Sequence, residues 1–161
     1  MTDQLLKSAR PAPAASPRAA RRSAILLLLL LSAQVTLSGC GDGRPKRLSV
    51  SGQVLIDGEP LTFGYIRFVP EGARPSGGRL DEQGRFTLSC YGENDGIIPG
   101  VHRVEVDASE SLSSTKVKWH APKKYFRYTN SGLTQEIGES TESLVIQLTW
   151  DGGKPFVERV R

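Results

Sequence analysis

Cysteine and histidine are scarce in this sequence, which holds two of each among 161 residues. Cys40 and Cys90 can form at most one disulfide, so the chain falls outside the small secreted proteins that depend on several disulfides. Two histidines leave little material for a zinc site, which takes three or four nitrogen, sulfur or oxygen ligands. The sequence also lacks an uninterrupted apolar run of the ~20 residues that a membrane-spanning helix needs.

The longest apolar run, residues 25–31, lies behind Arg21 and Arg22. The wider stretch 23–39 is 17 residues long and includes polar side chains at Ser32, Gln34, Thr36 and Ser38, which is too short and too polar for a spanning helix. A basic stretch, a short apolar core and small residues at its end are typical of a secretory signal, so we predict a signal peptide over residues 1–39. The arginine pair also fits twin-arginine export, but the strongly hydrophobic run favours general secretion.

The positive charge of the chain belongs to this leader. The whole sequence has 21 basic and 17 acidic residues, a net charge of +4. Residues 1–39 hold five basic residues and one acidic residue, which leaves 16 of each sign in the remainder. A neutral mature chain gives no reason to expect nucleic acid as a partner.

A second export feature follows the apolar run directly. Leu37, Ser38, Gly39 and Cys40 resemble the bacterial lipobox, in which the cysteine receives a diacylglycerol and, after cleavage, a further acyl chain such as palmitate. Several acyl chains give stable membrane anchoring where one does not. We therefore expect lipidation at Cys40 and a polar, flexible tether over residues 40–47. Ordinary cleavage nearby, an uncleaved anchor and a Cys40–Cys90 disulfide remain as alternatives. Because Gly41 and not Asp follows the cysteine, the resemblance to lipoprotein sorting favours the outer membrane.

From residue 48 onward the apolar residues alternate with a period of two, the pattern of half-buried strands. Val50, Val54 and Ile56 share one parity, for example, and no segment shows a sustained helical stripe. We predict strands over 48–56, 61–69, 85–90, 101–108, 133–137 and 143–150. Polar or glycine-rich loops are expected over 70–78, 93–100 and 109–115, and a polar tail over 151–161. The fold class predicted from this pattern is all-β, a single antiparallel β-sandwich of six to seven strands over residues 48–150.

Several stretches resemble the carboxypeptidase regulatory-like domain, a transthyretin-like β-sandwich found in small bacterial envelope lipoproteins. These stretches are VSGQV at 50–54, DGEPL at 57–61, IRFVP at 66–70, DEQGRF at 81–86, PG at 99–100, PKKY at 122–125 and SGLT at 131–134. Their shared residues are mostly turn residues, which specify a fold better than an activity. The resemblance implies an accessory module without shared catalytic residues, so function has to come from the site itself.

Three residues are candidates for a metal site. His102 and Glu105 form an HxxE pattern, and His120 is the other histidine. On a regular strand, residues three apart point to opposite faces, so His102 and Glu105 cannot share one ion. We therefore predict no metal site, with Glu105 solvated. Cys90 is in phase with Phe86 and Leu88, which favours a buried apolar role over a reactive thiol.

One segment carries a candidate interaction surface. No acidic residue occurs between Glu110 and Glu136, while basic and aromatic residues interleave there. Cations beside aromatic faces suit anionic glycans or lipid head groups. The alternative is that the aromatics cap the core and the lysines are merely solvated. The residues of the predicted surface are Lys116, Lys118, Trp119, Lys123, Lys124, Tyr125 and Arg127.

Together these features predict a lipid-anchored module of the cell envelope that binds or scaffolds another envelope protein or a glycan, with no catalysis and no cofactor. An envelope hydrolase or metal-dependent enzyme is the first alternative, and it requires His102, Glu105 and His120 to converge. A secreted carrier of a small hydrophobic ligand is the second, and it requires an enclosed apolar cavity.

Overall fold

The computed structural model describes residues 43–160. The predicted signal peptide and Cys40 lie outside the described residues. By its internal contacts the chain divides into two units, Met1–Arg44 and Pro45–Arg161. The described part of the second unit is the subject of the following paragraphs.

Strands make up the regular structure of the described chain, which confirms the predicted all-β class. Residues 43–160 contain no α-helix, and one short 3₁₀ helix covers Lys123–Phe126. The strands are β1 (Val50–Ile56), β2 (Glu59–Pro60), β3 (Tyr65–Pro70), β4 (Ser76–Arg79), β5 (Arg85–Thr87), β6 (Gly100–Asp107), β7 (Ser109–Ser113), β8 (Lys116–Trp119), β9 (Leu133–Ile137), β10 (Thr141–Leu148) and β11 (Phe156–Arg159).

Sheet A is built around β1. Strands β2 and β5 pair with β1 in antiparallel fashion, and β10 pairs with it in parallel. The parallel pair departs from the expected antiparallel arrangement. Parallel neighbours cannot be joined by a hairpin, and here the whole chain from β2 to β9 forms the connection between β1 and β10.

Sheet B contains four strands in the order β4-β3-β6-β9, and all of its pairs are antiparallel. Its central pair aligns Tyr65 with Asp107 and Phe68 with Val104. Because side chains alternate along a strand, Ile66 and Phe68 then point to one face while Tyr65 and Arg67 point to the other. The first face is buried and the second is exposed.

Sheets A and B share one hydrophobic cluster, and each fully buried aliphatic or aromatic side chain in it stabilises the fold by ~1.5–3 kcal/mol. The inward positions predicted from the period of two are confirmed. Sheet A contributes Val50, Val54, Ile56, Phe86, Ile146 and Leu148, and sheet B contributes Ile66, Phe68, Val104, Val106 and Ile137.

Sheet C, in the order β11-β8-β7, is absent from the sequence-based prediction. The expected loop 109–115 contains β7, and the expected polar tail 151–161 contains β11. Expected loop 70–78 likewise contains part of β4. Sheet C presents mostly exposed or half-buried residues, so its strands lack the buried alternation that identifies a strand in a sequence.

The domain has an entry end, where the chain arrives from residue 43. Leu48 exchanges two backbone hydrogen bonds with Ile97, at 2.8 and 2.9 Å. Shortly after Ile97, the chain enters β6, and the His102 ring bonds back to the Ile98 carbonyl at 2.9 Å. The starts of β1 and β6 therefore lie at the entry end.

The opposite end of the domain, the far end, is where β1 and β6 finish. Leu61 donates a backbone hydrogen bond to Val54 near the end of β1. Gly64, three residues later, lies so close to Asp107 that a Cβ on it would meet the Asp107 carbonyl oxygen at 2.5 Å. Strand β7 continues from the end of β6, so sheet C departs from the far end.

Candidate binding surface at the far end

The predicted basic and aromatic segment lies at the far end of the domain. Its first part forms β8 in sheet C, and its second part forms the 3₁₀ helix Lys123–Phe126. Pro122 precedes this helix with an extended backbone, and its fixed φ and missing N–H suit the position before a helix. The hydrogen bonds between Tyr125 and Thr149 fix the turn against the chain that follows β10.

An aromatic cluster occupies one face of sheet C. The Trp119 and Phe126 rings meet edge to face, with centroids 5.6 Å apart. The Lys123 ammonium lies 5.3 Å from the Trp119 ring centroid and 5.8 Å from that of Phe156. Glu158 receives a 3.1 Å hydrogen bond from Trp119 Nε1 and pairs with Lys123. Phe156 stays 40% exposed, so the cluster offers aromatic surface beside charge.

Acidic residues from outside the segment neutralise much of its positive charge. Lys118 pairs with Glu110, and Lys123 pairs with Glu158. The hydrogen bond from Lys123 lowers the pKa of the Glu158 carboxyl below its usual value, so this acid is ionised at neutral pH. The absence of acids within the segment therefore overstated its charge, because the neutralising carboxylates come from elsewhere in the chain.

Lys124 is also paired. Its ammonium lies 2.5 Å from Asp151, and this hydrogen bond raises the pKa of Lys124 and lowers the pKa of Asp151. Of the basic residues in the predicted surface, Lys116 and Arg127 form no ion pair with any residue of 43–160. These two keep their full positive charge available to a partner.

Tyr125 does not belong to the surface, and its assignment there is wrong. The side chain is only 4% exposed and joins the hydrophobic cluster. Its hydroxyl accepts a 3.1 Å hydrogen bond from Thr149 N and lies 3.5 Å from Thr149 O. The 3₁₀ helix turns this residue inward while Lys123 and Lys124 remain exposed.

A groove runs along the outer face of sheet B next to this cluster. Its volume is about 390 Å³. The residues that line the groove are Tyr65, Arg67, Glu105, Asp107, Phe126, Arg127, Tyr128 and Thr129. The groove therefore joins outward side chains of β3 and β6 to the end of the predicted segment. Sequence reasoning did not identify Tyr65, Arg67 or Asp107, whose outward parity on two strands was the available signal.

Glu105 was expected to be solvated, and this expectation is wrong. Its side chain points to the outer face of sheet B, as its parity predicts, but residues 126–129 cover it to 9% exposure. Arg67 pairs with one of its oxygens at 2.5 Å, and Tyr128 N donates to the other at 2.8 Å. Glu105 thus fixes the floor of the groove and one wall at once.

The residues of the HxxE pattern do not converge with the second histidine. His102 is fully buried in the core, and Glu105 faces the other side of sheet B. His120 stacks on Phe63 and pairs with Glu110 at 2.7 Å. No group of three His, Cys, Asp or Glu side chains within residues 43–160 is placed to hold a metal ion. Cys90 is buried at 7% exposure, as its phase with Phe86 predicts.

These observations define an all-β protein of several small sheets with an aromatic and charged surface at its far end. No family model matches the chain, and no match was found among curated proteins or among solved structures. Over residues 43–160, no helix has the length and apolar character needed to cross a bilayer.

Proposed function

We propose that this chain is a lipid-anchored module of the cell envelope that binds another envelope component through its far end and scaffolds it near the membrane. The observation that carries the proposal is the partly exposed cluster of Trp119, Phe126, Phe156 and Lys123, which lies at the end of the domain away from the incoming chain. Tryptophan and other aromatics next to a cation are typical of residues that dominate binding interfaces.

The placement of this cluster supports the proposal. The apolar interior of the domain is already filled by sheets A and B, so the cluster is not needed to complete that core. Phe156 of β11 pairs with Trp119 of β8 and remains 40% exposed, so this face of sheet C keeps aromatic surface in contact with water. A partner that covers β8 and β11 would remove this surface from water.

The anchor rests on the sequence. Acylation at Cys40 would hold the chain at a membrane, in the outer membrane by the resemblance to lipoprotein sorting. For the fold we propose the transthyretin-like sandwich of the carboxypeptidase regulatory-like type. Two four-stranded sheets that share one core support this assignment. The groove and the cluster bring together no nucleophile, base and orienting acid, so the module is proposed to act by binding and without a cofactor.

Lysine cross-linking in intact cells, followed by mass spectrometry, tests both parts of the proposal. We expect a reproducible partner joined through Lys116, Lys118, Lys123 or Lys124 and a mature chain that begins at an acylated Cys40. Replacing two half-buried rings of the cluster with Trp119→Ala and Phe126→Ala keeps every lysine and should abolish the links. A Val145→Ala variant, which alters an exposed apolar side chain on β10, is the matched control.

The two cysteines supply the control for the anchor. Cys40→Ser should prevent acylation and release the domain from the membrane fraction, while Cys90→Ser should leave anchoring intact. An unmodified, soluble wild-type chain without a partner would contradict both the anchor and the scaffold.

A further inference from the structure

We propose that the groove on the outer face of sheet B binds a sugar unit that carries a carboxylate. This inference rests on the proposed function, because it names the class of envelope component that one part of the far end recognises. The groove volume of about 390 Å³ lies within the range of small-molecule sites, and one or two sugar rings would fill it.

The first argument is an aromatic platform at the side of the groove. Tyr65 is 45% exposed, yet its ring is held against β4, because a Cβ at Gly77 would lie 2.6 Å from the ring and 2.5 Å from the hydroxyl. The missing side chain at Gly77 lets the ring lie along the strand with its other face toward solvent. Phe126 lines the same groove from the far-end cluster. Such rings pack well against the C–H faces of sugars.

The second argument is the supply of hydrogen-bonding groups. Asp107 Oδ1 receives both the backbone N–H and the hydroxyl of Ser109, at 3.0 and 2.5 Å. Its Oδ2 has no hydrogen-bond partner among residues 43–160. Tyr65 pairs with Asp107 in the register of β3 on β6 and also lines the groove. Its hydroxyl, which lies on the β4 side beside Gly77, can both donate and accept. Acceptors beside an exposed ring suit a polyhydroxylated ligand better than an apolar one.

The third argument concerns the placement of charge. The lining holds two acids, Glu105 and Asp107, and two arginines, Arg67 and Arg127, so a ligand carboxylate fits only beside an arginine that no acid neutralises, with the ligand hydroxyls toward Asp107. Arg67 and Glu105 neutralise each other across 2.5 Å, and Tyr128 N occupies the second carboxylate oxygen. Arg127 is exposed and rests against the Phe126 ring at 5.6 Å, and it has no carboxylate partner among residues 43–160. The guanidinium fork matches a carboxylate in a bidentate geometry. Arg127 is thus the cation available to a carboxylate seated beside the rings.

Saturation-transfer NMR on the full chain in detergent micelles tests the inference with two ligands that differ in one group. Methyl β-glucuronide carries the carboxylate and methyl β-glucoside lacks it. We expect saturable binding of the glucuronide, with transfer to its ring protons, and at least about tenfold weaker binding of the glucoside, the scale set by one charge-assisted bidentate contact. Arg127→Gln should reduce glucuronide binding to the glucoside level. Arg159→Gln, which removes an exposed arginine of β11, should change nothing.

Other results would overturn the inference. Equal affinity for both glycosides would remove the role of the carboxylate, and absence of saturable binding would remove the site. Equal binding of N-acetylaspartate amide would assign the groove to acidic peptides instead of sugars. Partner cross-links that persist in Arg127→Gln, together with absent glucuronide binding, would refute the groove and leave the proposed scaffold intact. In the reverse case, saturable glucuronide binding by a wild-type chain that forms no partner cross-links would refute the scaffold and leave the groove intact.

Discussion

Among single residues, His102 is the polar side chain most deeply embedded in the core. It is fully buried, with Nε2 bonded to the Ile98 carbonyl at 2.9 Å and its ring edge against Phe68. Nε2 must donate in this bond, so the neutral ring carries its proton there and leaves Nδ1 as an acceptor without a partner among residues 43–160. Protonation would add a charge and an unpaired donor to an apolar site.

We therefore predict that His102 makes the fold sensitive to mild acid. Burial lowers the pKa of His102 below its ordinary value of 6.5. The unfolded chain then binds more protons than the folded chain as the pH falls below 6.5, so the free energy of unfolding should decrease from pH 7 to pH 5. Urea unfolding at both pH values measures it. His102→Gln should flatten the decrease while retaining an N–H donor. His120→Gln, at the half-buried histidine, should retain the decrease. An equal change in the free energy of unfolding between pH 7 and pH 5 in both variants would contradict the prediction.

Tyr125 supplies a second prediction for a single residue. Because it lies in the core, its substitution should change the free energy of unfolding and leave binding unchanged. Its hydroxyl satisfies Thr149 N at 3.1 Å, so Tyr125→Phe should lower the free energy of unfolding by ~1 kcal/mol. Removing the ring in Tyr125→Ala should cost about 3–5 kcal/mol. Denaturant unfolding measures both changes. Cross-linking of folded Tyr125→Phe to the partner should match that of the wild type. A loss of cross-links in this variant would mean that Tyr125 does belong to the binding surface.

At the level of elements, sequence pattern located strands that bury one face and missed strands that do not. The alternation in 48–56, 101–108 and 143–150 corresponds to β1, β6 and β10, because each must place alternate side chains in a shared core. Sheet C has no such requirement, so β7 and β11 resemble polar loop and tail in composition. The parallel register of β10 on β1 depends on contacts far apart in the chain, which local pattern does not encode.

The candidate site was likewise predicted from the sequence only in part. Composition alone marked Trp119, Lys123 and Arg127 as residues of a surface, since aromatics and cations stand together there. It could not show that Glu158 pairs with Lys123, because that contact joins β11 to the 3₁₀ helix, which are far apart in the sequence. The groove needed the register of β3 on β6, which places Tyr65 opposite Asp107.

The close approach of β1 and β10 leads to a prediction for this parallel pair. Gly52 faces Leu144, and a Cβ on it would lie 2.0 Å from the Leu144 carbonyl oxygen. Because backbone cannot move aside as a side chain can, Gly52→Ala should lower the free energy of unfolding by at least about 1–3 kcal/mol, the usual cost of overpacking. Gly138→Ala has no atom within 4 Å of its new Cβ and should stay within ~0.5 kcal/mol of the wild type. Equal urea midpoints for Gly52→Ala and Gly138→Ala would disprove the close approach of β1 to β10.

At the scale of the whole molecule, the positions of the two ends of the domain say more about binding than its net charge does. The chain enters beside Leu48 and Ile97, whereas the aromatic cluster and the groove belong to the far end. Strand β6, with 8 residues, spans ~26 Å between these ends at about 3.3 Å per residue. A lipid-anchored domain held by its entry end would present the far end to the aqueous envelope, where a partner or glycan can reach it.

This orientation can be measured with tryptophan fluorescence in lipid vesicles. Cys40 precedes Leu48, which is bonded to Ile97 at the entry end, by eight residues, and these extend to at most ~29 Å. The far end could meet the bilayer only if this stretch were almost fully extended along the domain, whereas the entry end meets it at any extension. Trp119 and Trp150, both at the far end, should therefore escape quenching by spin-labelled head groups. The exposed Glu139 follows Ile137, which pairs with Gly100 at the entry end, so Glu139→Trp should add a quenched component. Quenching of Trp119 in the wild-type chain would mean that the aromatic cluster faces the membrane itself, and it would replace a partner in solution with the lipid surface as the component that the far end binds.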